Sequence, residues 1–208
     1  RILILSDAHL PVVPRENPDP AKEKRIIDAK QSIIADINAW DDVARIVATG
    51  DLLGSYGTEA EYAAAKAFFG KLNKPVFAIA GNHDYIYIGR DPEFRFIRGD
   101  AAERKAKLER FKREFNQQQL YYTLESGRYL LVFLSTDSLD SKVLCQFSPA
   151  QMNWLADVLA KNKNRPTIVF AHAPLAGTLT NYNRYINTPS FIAQPETEIR
   201  DLLRQNPQ

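Results

Sequence analysis

Four short apolar runs recur along the sequence, each with the length of a buried strand rather than a helix. They cover residues 2–5, 44–48, 75–80 and 167–170. Segments with a helical repeat of apolar residues lie between them. In residues 21–40 the repeat consists of Ile26, Ile27, Ile33, Ile34 and Ile37. Alternation of such strands and helices predicts an α/β fold.

Local end signals predict further elements. Residues 58–61 (Thr-Glu-Ala-Glu) form a capping box that begins a helix reaching about residue 72, and residues 148–151 (Ser-Pro-Ala-Gln) begin another. Residues 101–115 and 195–206 read as two more helices. Two alternating segments, 121–124 and 128–134, flank Glu-Ser-Gly and predict a hairpin in a second sheet.

Each of the four apolar runs ends beside residues that can bind a metal or transfer a proton. All three histidines of the chain stand at these ends. In open α/β sheets, ligands bind beyond the carboxyl ends of the strands, so we expect the four loops to converge on one site. The residues concerned are Asp7, His9, Asp51, Asn82, His83, Asp84 and His172.

Carboxylate oxygens, imidazole nitrogens and an amide oxygen suit Zn, Mn or Fe, and no thiolate is offered. Asp7 and His9 point the same way if the segment is extended, so one metal can take both. Asp51 can bridge two cations through its two oxygens, which would place them roughly 3.5–4 Å apart. That is the spacing of two-metal hydrolases, so these residues are compatible with a centre of two divalent metal ions.

In order, Asp7-x-His9, Gly50-Asp51, Gly81-Asn82-His83-Asp84 and His172-x-Pro174 resemble the motifs of the calcineurin-like metallophosphoesterase superfamily. The match spans nearly the whole chain, and its plan is similar to the cyclic-nucleotide phosphodiesterase branch. The resemblance implies a metallophosphoesterase sandwich of two mixed β-sheets flanked by helices. We expect residues 1–208 to form one such domain.

The resemblance also implies a role for each residue. Asp7 and His9 would bind the first metal, Asn82 and His172 the second, and Asp51 both. His83 would not be a ligand but would protonate the leaving oxygen or stabilise charge on the phosphoryl group. The nucleophile would be a metal-bridging hydroxide that attacks phosphorus in line.

Two departures from the superfamily pattern lead to further expectations. The usual Gly-His-x-His block near the C-terminus is missing. We expect that this chain is incomplete and that the intact protein carries this block. Many relatives carry an acidic residue three positions after the bridging aspartate, where it orients the histidine. Gly54 holds that position here, and we expect Asp84, as a catalytic residue, to orient His83 instead.

The leading functional hypothesis is a metal-dependent phosphodiesterase acting on a small phosphoester such as a cyclic nucleotide. A phosphomonoesterase, a nuclease and a non-catalytic scaffold with the same fold are the alternatives. The net charge of +2, from 27 basic and 25 acidic residues, is too small to indicate a surface that binds polyanions, so a nucleic-acid partner is not predicted. A scaffold would tend to lose His83 or the ligands, which this chain retains.

Substrate contacts are expected from segments around the metal site. Residues 85–116 are a probable substrate-side insertion, whose Arg90, Arg95 and Arg98 either bind phosphate or lie on a solvated face. The aromatic residues of that insertion either cover a nucleobase or lipid chain or pack against the domain. Three other candidates are Tyr56, on a flexible lip at 54–57, and Arg184 and Tyr185, in a loop that follows His172.

Cysteine content and hydropathy bear on location. Cys145 is the single cysteine and cannot form an internal disulfide, which fits a cytoplasmic protein with a buried thiol. No apolar run is long enough to span a bilayer. The sequence begins with Arg1 rather than Met, which indicates that residues have been removed. Neither the oligomeric state nor the choice among Mn, Fe and Zn follows from these residues.

Overall fold

A computed structural model of the chain describes residues 1–179 and 188–208. These residues form strands and helices in alternation along most of the chain. In chain order the elements are β1 (Ile2–Leu5), α1 (Pro20–Ala39), β2 (Arg45–Ala48), α2 (Glu59–Phe69), β3 (Val76–Ala78), β4 (Tyr87–Arg90), β5 (Phe96–Arg98), α3 (Ala101–Glu114), β6 (Tyr122–Ser126), β7 (Tyr129–Leu134), α4 (Pro149–Lys161), β8 (Thr167–Ala171) and α5 (Glu196–Gln205).

The strands form two three-stranded sheets and a separate hairpin. In the first sheet the order is β1-β2-β3, and all pairs are parallel. In the second sheet β6 pairs antiparallel with β7, and β7 pairs parallel with β8. The predicted fold class, an α/β sandwich of two sheets flanked by helices, is confirmed. Among the described strands only the second sheet is mixed.

Alternating side chains on the central strands build the layers of the sandwich. On β2, Val47 faces the second sheet, whereas Ile46 and Ala48 pack toward α1 and α2. On β7, Leu131 and Phe133 lie between the sheets, whereas Leu130, Val132 and Leu134 pack against α4 and α5. This period of two is what a strand covered on both faces requires.

The helices begin where their capping residues predict. The α2 capping box is present, with Thr58 Oγ1 accepting from the Glu61 N–H. Ser148 caps α4 with Pro149 in the first turn. On α1, Ile34 and Ile37 are buried but Ile33 is 40% exposed, so the buried stripe is narrower than the sequence suggests.

Residues 85–116 fold as the β4–β5 hairpin followed by α3, which adds Leu108 and Phe111 to the core of the first sheet. The Arg90 guanidinium lies 3.6 Å from the Phe96 ring centroid and 4.2 Å from that of Phe94. Arg90 also donates to the Pro14 carbonyl across 3.0 Å, which ties the hairpin to the loop between β1 and α1. That this segment is a substrate-side insertion stays a prediction.

Candidate metal centre

The loops after β1, β2, β3 and β8 meet at one edge of the sandwich. The Asp7 N–H donates to the Gly50 carbonyl and the His9 N–H to the Asp51 carbonyl, across 3.1 and 2.8 Å. Lys30 of α1 donates to the His9 carbonyl across 2.9 Å. These bonds place the Asp7–His9 loop directly over the Asp51 loop, because β1 and β2 are parallel neighbours.

Asp51 lies at the centre of the predicted ligands. Its Oδ2 is 3.8 Å from His9 Nε2, and its Oδ1 is 3.4 Å from His172 Nε2. His172 Nε2 is also 3.3 Å from Asn82 Oδ1, and His9 Nε2 is 3.7 Å from Asp7 Oδ1. The structure therefore brings all five predicted metal ligands together.

Three of these residues have a strained backbone. Asp7, His9 and Asp51 adopt φ values of 54°, 42° and 52°, the left-handed region that residues other than glycine rarely enter. Such conformations cost about 1–3 kcal/mol each and persist only where the surrounding structure fixes them. The occurrence of three such residues at one site indicates that the placement of their side chains outweighs the cost of the backbone conformation.

Gly81 allows the Asn82 loop to approach Asp51 closely. A Cβ at Gly81 would lie 2.3 Å from Asp51 Oδ1 and 2.5 Å from the Asp51 nitrogen. Any other residue at position 81 would therefore displace the Asp51 carboxylate. The glycine that precedes Asn82 in the sequence motif has this packing role.

Two groups of potential metal ligands share Asp51. Asp7, Asp51 and His172 form one group, and His9, Asp51 and His83 form the other, with the ligand atoms of each group within 4.8 Å of one another. This grouping pairs Asp7 with His172 and places His83 beside His9, whereas the sequence paired Asp7 with His9. The distribution of ligands between two ions, with His83 outside both sets, stays a prediction.

The donor set fits divalent metals. It combines oxygen and nitrogen donors, and Asp51 is only 4% exposed. His9 Nδ1 is buried without a hydrogen-bond partner among the described residues, so its ring is held by packing and by its Nε2 neighbours. Carboxylates and imidazoles grouped around a buried, shared central carboxylate form an arrangement that suits two cations.

The electrostatics of the cluster are dominated by Asp51 and His172. Burial raises the pKa of the Asp51 carboxyl, but the adjacent His172, His83 and His9 outweigh burial and hold that pKa well below its usual range. Burial lowers the pKa of the His172 imidazole, but the attraction of Asp51 outweighs it and raises the pKa to about 9. Without metal, Asp51 is therefore an anion paired with a protonated His172.

His83 is oriented by the loop after β2. Its Nδ1 lies 3.1 Å from the Gly54 carbonyl oxygen and 3.0 Å from Ser55 Oγ. A carbonyl oxygen can only accept a hydrogen bond, so its contact with His83 requires the proton on Nδ1. The other nitrogen, Nε2, is then available to groups bound in the cleft. Burial lowers the pKa of His83, against the attraction of Asp51.

The predicted role of Asp84 is wrong. Its fully buried carboxylate accepts from the N–H groups of Leu52 and Leu53, both across 2.9 Å, and from that of Gly81 across 2.7 Å. It therefore joins the Asp51 loop to the Asn82 loop and does not hydrogen-bond His83. Burial and the nearby Asp51 raise the pKa of Asp84 to about 7.

The candidate ligands and His83 line a cleft of about 470 Å³. An apolar wall completes the cleft, and it contains six residues that were not among the predicted ligands or catalytic residues. These are Tyr87, Phe96, Leu144, Cys145, Ala173 and Phe191. Tyr87 and Phe96 stack with ring centroids 4.3 Å apart, each about 5 Å from the His83 ring. In the sequence, only their position within residues 85–116 indicated that Tyr87 and Phe96 could lie near the site.

Cys145 is buried as expected, but it lies beside the cluster. Its Sγ is 3.8 Å from Asn82 Oδ1, and burial raises its pKa far above the usual range. The thiol is therefore protonated. As a weak donor to Asn82 it helps to orient the amide oxygen toward His172.

The three arginines considered either as phosphate contacts or as part of a solvated face are engaged away from the cleft. Arg95 pairs with Asp91 and Glu93, and Arg98 donates to the Lys142 carbonyl. None of Arg90, Arg95 and Arg98 lines the cleft.

The other candidates have separate outcomes. Tyr56 packs edge-on against Phe96, with ring centroids 6.3 Å apart. The lip at 54–57, expected to be flexible, is hydrogen-bonded through Gly54 and Ser55. Arg184 and Tyr185 lie outside the described residues.

Fold and site together define an α/β sandwich with a candidate two-metal centre at its strand ends. The sequence profile of the calcineurin-like phosphoesterases matches residues 1–200, and the chain belongs to that family. Members of this family use centres of two divalent metal ions. No curated protein matches the chain.

Two solved structures are similar in fold. A purple acid phosphatase from yellow lupin (Lupinus luteus) seeds has a TM-score of 0.60 and 16% identity, covering 99% of this chain and 36% of that one. The phosphopantetheinyl hydrolase of Mycobacterium tuberculosis has a TM-score of 0.51 and 13% identity, covering 92% of this chain and 74% of that one. This chain therefore spans well under half of the lupin enzyme.

Within the described residues, no helix is long and apolar enough to cross a membrane.

Proposed function

We propose that this chain is the metal-binding domain of a phosphoester hydrolase that uses two divalent cations and prefers phosphodiesters. The observation that carries the proposal is the position of Asp51, which belongs to both groups of candidate ligands. One carboxylate shared by two ligand groups supports two adjacent ions rather than one. When bound, the two cations would supply activated water and neutralise charge on the phosphoryl group.

The residues of the chain would hold and orient these components. Asp7, His9, Asp51, Asn82 and His172 would bind the metal ions. His83 would exchange a proton with the leaving oxygen through Nε2, because Nδ1 is engaged by Gly54 and Ser55.

The charge of the cleft supports a diester. None of its described lining residues is lysine or arginine. A phosphomonoester dianion carries one more negative charge than a diester monoanion, and this wall offers no cationic side chain to balance it. The apolar wall formed by Tyr87, Phe96 and Leu144 suits the second ester group of a diester, such as the nucleoside part of a cyclic nucleotide.

A phosphomonoesterase is the second candidate. The similarity in fold to a purple acid phosphatase favours it, although that likeness reaches only 16% identity. Both reactions would use the same ligands and the same His83. The substrate contacts alone distinguish them.

Hydrolysis of bis-p-nitrophenyl phosphate against p-nitrophenyl phosphate tests the proposal, with the protein reconstituted with Mn and His83→Ala as the control. We expect Mn-dependent turnover that favours the diester and is lost in the variant. Preference for the monoester would support the phosphatase. No turnover of either ester with both metals bound would argue for a scaffold or for an enzyme with a narrow substrate range.

A further inference from the structure

The carboxylate of Glu61 contacts the loop that orients His83. Glu61 is only 6% exposed and lies in the first turn of α2. Its Oε1 accepts from the Ser55 N–H across 2.7 Å, and its Oε2 accepts from the N–H groups of Tyr56 and Thr58 across 3.0 and 2.9 Å. A capping box needs only the bond to Thr58, so two of these bonds serve another purpose.

That purpose is evident from what Ser55 and its neighbour do. The Ser55 hydroxyl donates to the Gly54 carbonyl and accepts from His83 Nδ1, which also donates to that carbonyl. With the Ser55 and Tyr56 N–H groups bound to Glu61, the Gly54–Ser55 peptide has little freedom to rotate. The imidazole is therefore held by a backbone segment that a single buried carboxylate fixes in place.

The same contacts explain why position 54 carries no acidic side chain. A Cβ at Gly54 would lie 2.7 Å from Glu61 Oε1 and 2.7 Å from the Val12 carbonyl oxygen. No side chain fits there while Glu61 keeps its position. The backbone carbonyl of Gly54 contacts His83 directly instead, and the acidic group acts one step farther away.

We propose that Glu61 is a positioning residue that acts through Gly54 and Ser55 to hold His83 in one orientation, with its proton on Nδ1. Glu61 touches neither the candidate ligands nor the cleft. Its effect on turnover rests on the proposed function, whereas its effect on the orientation of His83 does not. The two are tested separately.

The orientation is measured by nitrogen-15 NMR of the imidazoles in the metal-free protein, where His83 is identified by the signal lost in His83→Ala. We expect a single Nδ1-protonated form in the unmodified protein. We expect Glu61→Gln to give a mixture of tautomers, because its amide NH2 would face N–H donors that need an acceptor. An unchanged His83 signal in Glu61→Gln would overturn the proposal.

Two variants control for indirect effects. Glu59→Gln alters a carboxylate on the same helix turn that pairs with Arg110 at the surface, and we expect it to leave the His83 signal unchanged. Thr58→Ala removes the helix cap but keeps the carboxylate, so we expect it to lower Tm without altering His83. A change of the His83 signal in Thr58→Ala equal to that in Glu61→Gln would reduce the role of Glu61 to helix capping.

Turnover is measured with bis-p-nitrophenyl phosphate after Mn reconstitution. We expect Glu61→Gln to lower kcat roughly 10- to 100-fold with KM unchanged, and to cause no further loss in a His83→Ala background. An equal loss in both backgrounds would show that Glu61 acts elsewhere.

Two further outcomes keep the proposal testable. If Glu61→Gln does not fold, Glu61→Asp takes its place, since it keeps the charge but is too short to reach Ser55. If the unmodified protein hydrolyses neither test ester, which would argue for a scaffold or a narrow substrate range, the NMR comparison alone decides the role of Glu61.

Discussion

The backbone N–H of His83 donates a hydrogen bond to Asp51 Oδ1 across 2.8 Å. The shared candidate ligand and the candidate proton donor are therefore fixed relative to each other by the main chain. The His83 side chain is held separately, through Nδ1. Because the backbone of His83 contacts Asp51 and its imidazole contacts Gly54, the His83 side chain can be removed without removing the hydrogen bond to Asp51.

Asp51→Asn should weaken both metal sites, because the amide replaces one of the two carboxylate oxygens with a group that does not bind cations. We expect roughly tenfold or greater loss of affinity at each site. Metal content after equilibrium dialysis against Mn measures it. Asp36→Asn, at an exposed position on α1, is the matched control. Unchanged content of both metals in Asp51→Asn would argue against a shared ligand.

His83→Ala should keep both metals and lose turnover. Removal of a proton donor typically lowers the rate by about 10² to 10⁴, while the remaining five candidate ligands are untouched. Metal analysis and kcat on the same preparation separate the two effects. Loss of metal together with activity would place His83 in the His9–Asp51 ligand group and remove it from its assigned role.

Metal binding should strengthen as the pH rises. Without metal, Asp51 raises the pKa of His172 to about 9 despite burial, so a cation must displace a proton from His172 below that pH. We expect the Mn affinity to rise by up to about tenfold per pH unit toward pH 9 and then level off. Calorimetric titrations at several pH values measure it, with His172→Asn as the control. A flat profile in the unmodified protein would contradict the pairing.

The same pairing determines how the stability of the metal-free protein varies with pH. Because the pKa of His172 in the folded protein lies above its pKa of about 6.5 in the unfolded chain, its contribution is fully present below about pH 6.5. It is lost as the pH rises through about 9. Urea unfolding of the protein and of His172→Asn across this range should show the difference shrinking with pH.

Gly81→Ala should disrupt the metal centre. Its Cβ would lie 2.3 Å from Asp51 Oδ1, so the loop must move at a cost of about 1–3 kcal/mol in the free energy of unfolding. We expect loss of metal affinity together with the stability. Gly89→Ala is the matched control, since nothing lies within 4 Å of its Cβ position. Equal behaviour of the two variants would refute close packing at Gly81.

Much of the fold was predictable because its signals are local. The apolar runs predicted β1, β2, β3 and β8 to within three residues at each end, and the capping residues fixed the starts of α2 and α4. The seven candidate site residues could be selected because each lies within a few residues of the end of an apolar run. The parallel order of β1, β2 and β3 explains why six of them converge, whereas His172 follows β8 and reaches the site from the second sheet.

The partners of these residues were not predictable in the same way. Asp84 is adjacent to His83 in sequence, yet its carboxylate turns toward Leu52 and Leu53 because those buried N–H groups need an acceptor. His83 finds its partner in a backbone carbonyl, which every residue carries and no sequence pattern marks.

The sequence by itself therefore determined the order of the strands and helices other than β4 and β5, the family motifs and the types of donor atom, since all of these depend on residues close together in the chain. Only the tertiary structure decided that His83 lies beside His9 and Asp51, that Glu61 reaches the loop beside His83, and that Leu144 and Phe191 line the same cleft as the ligands. These contacts join segments far apart in the chain, and their geometry is fixed by how the two sheets and their helices pack.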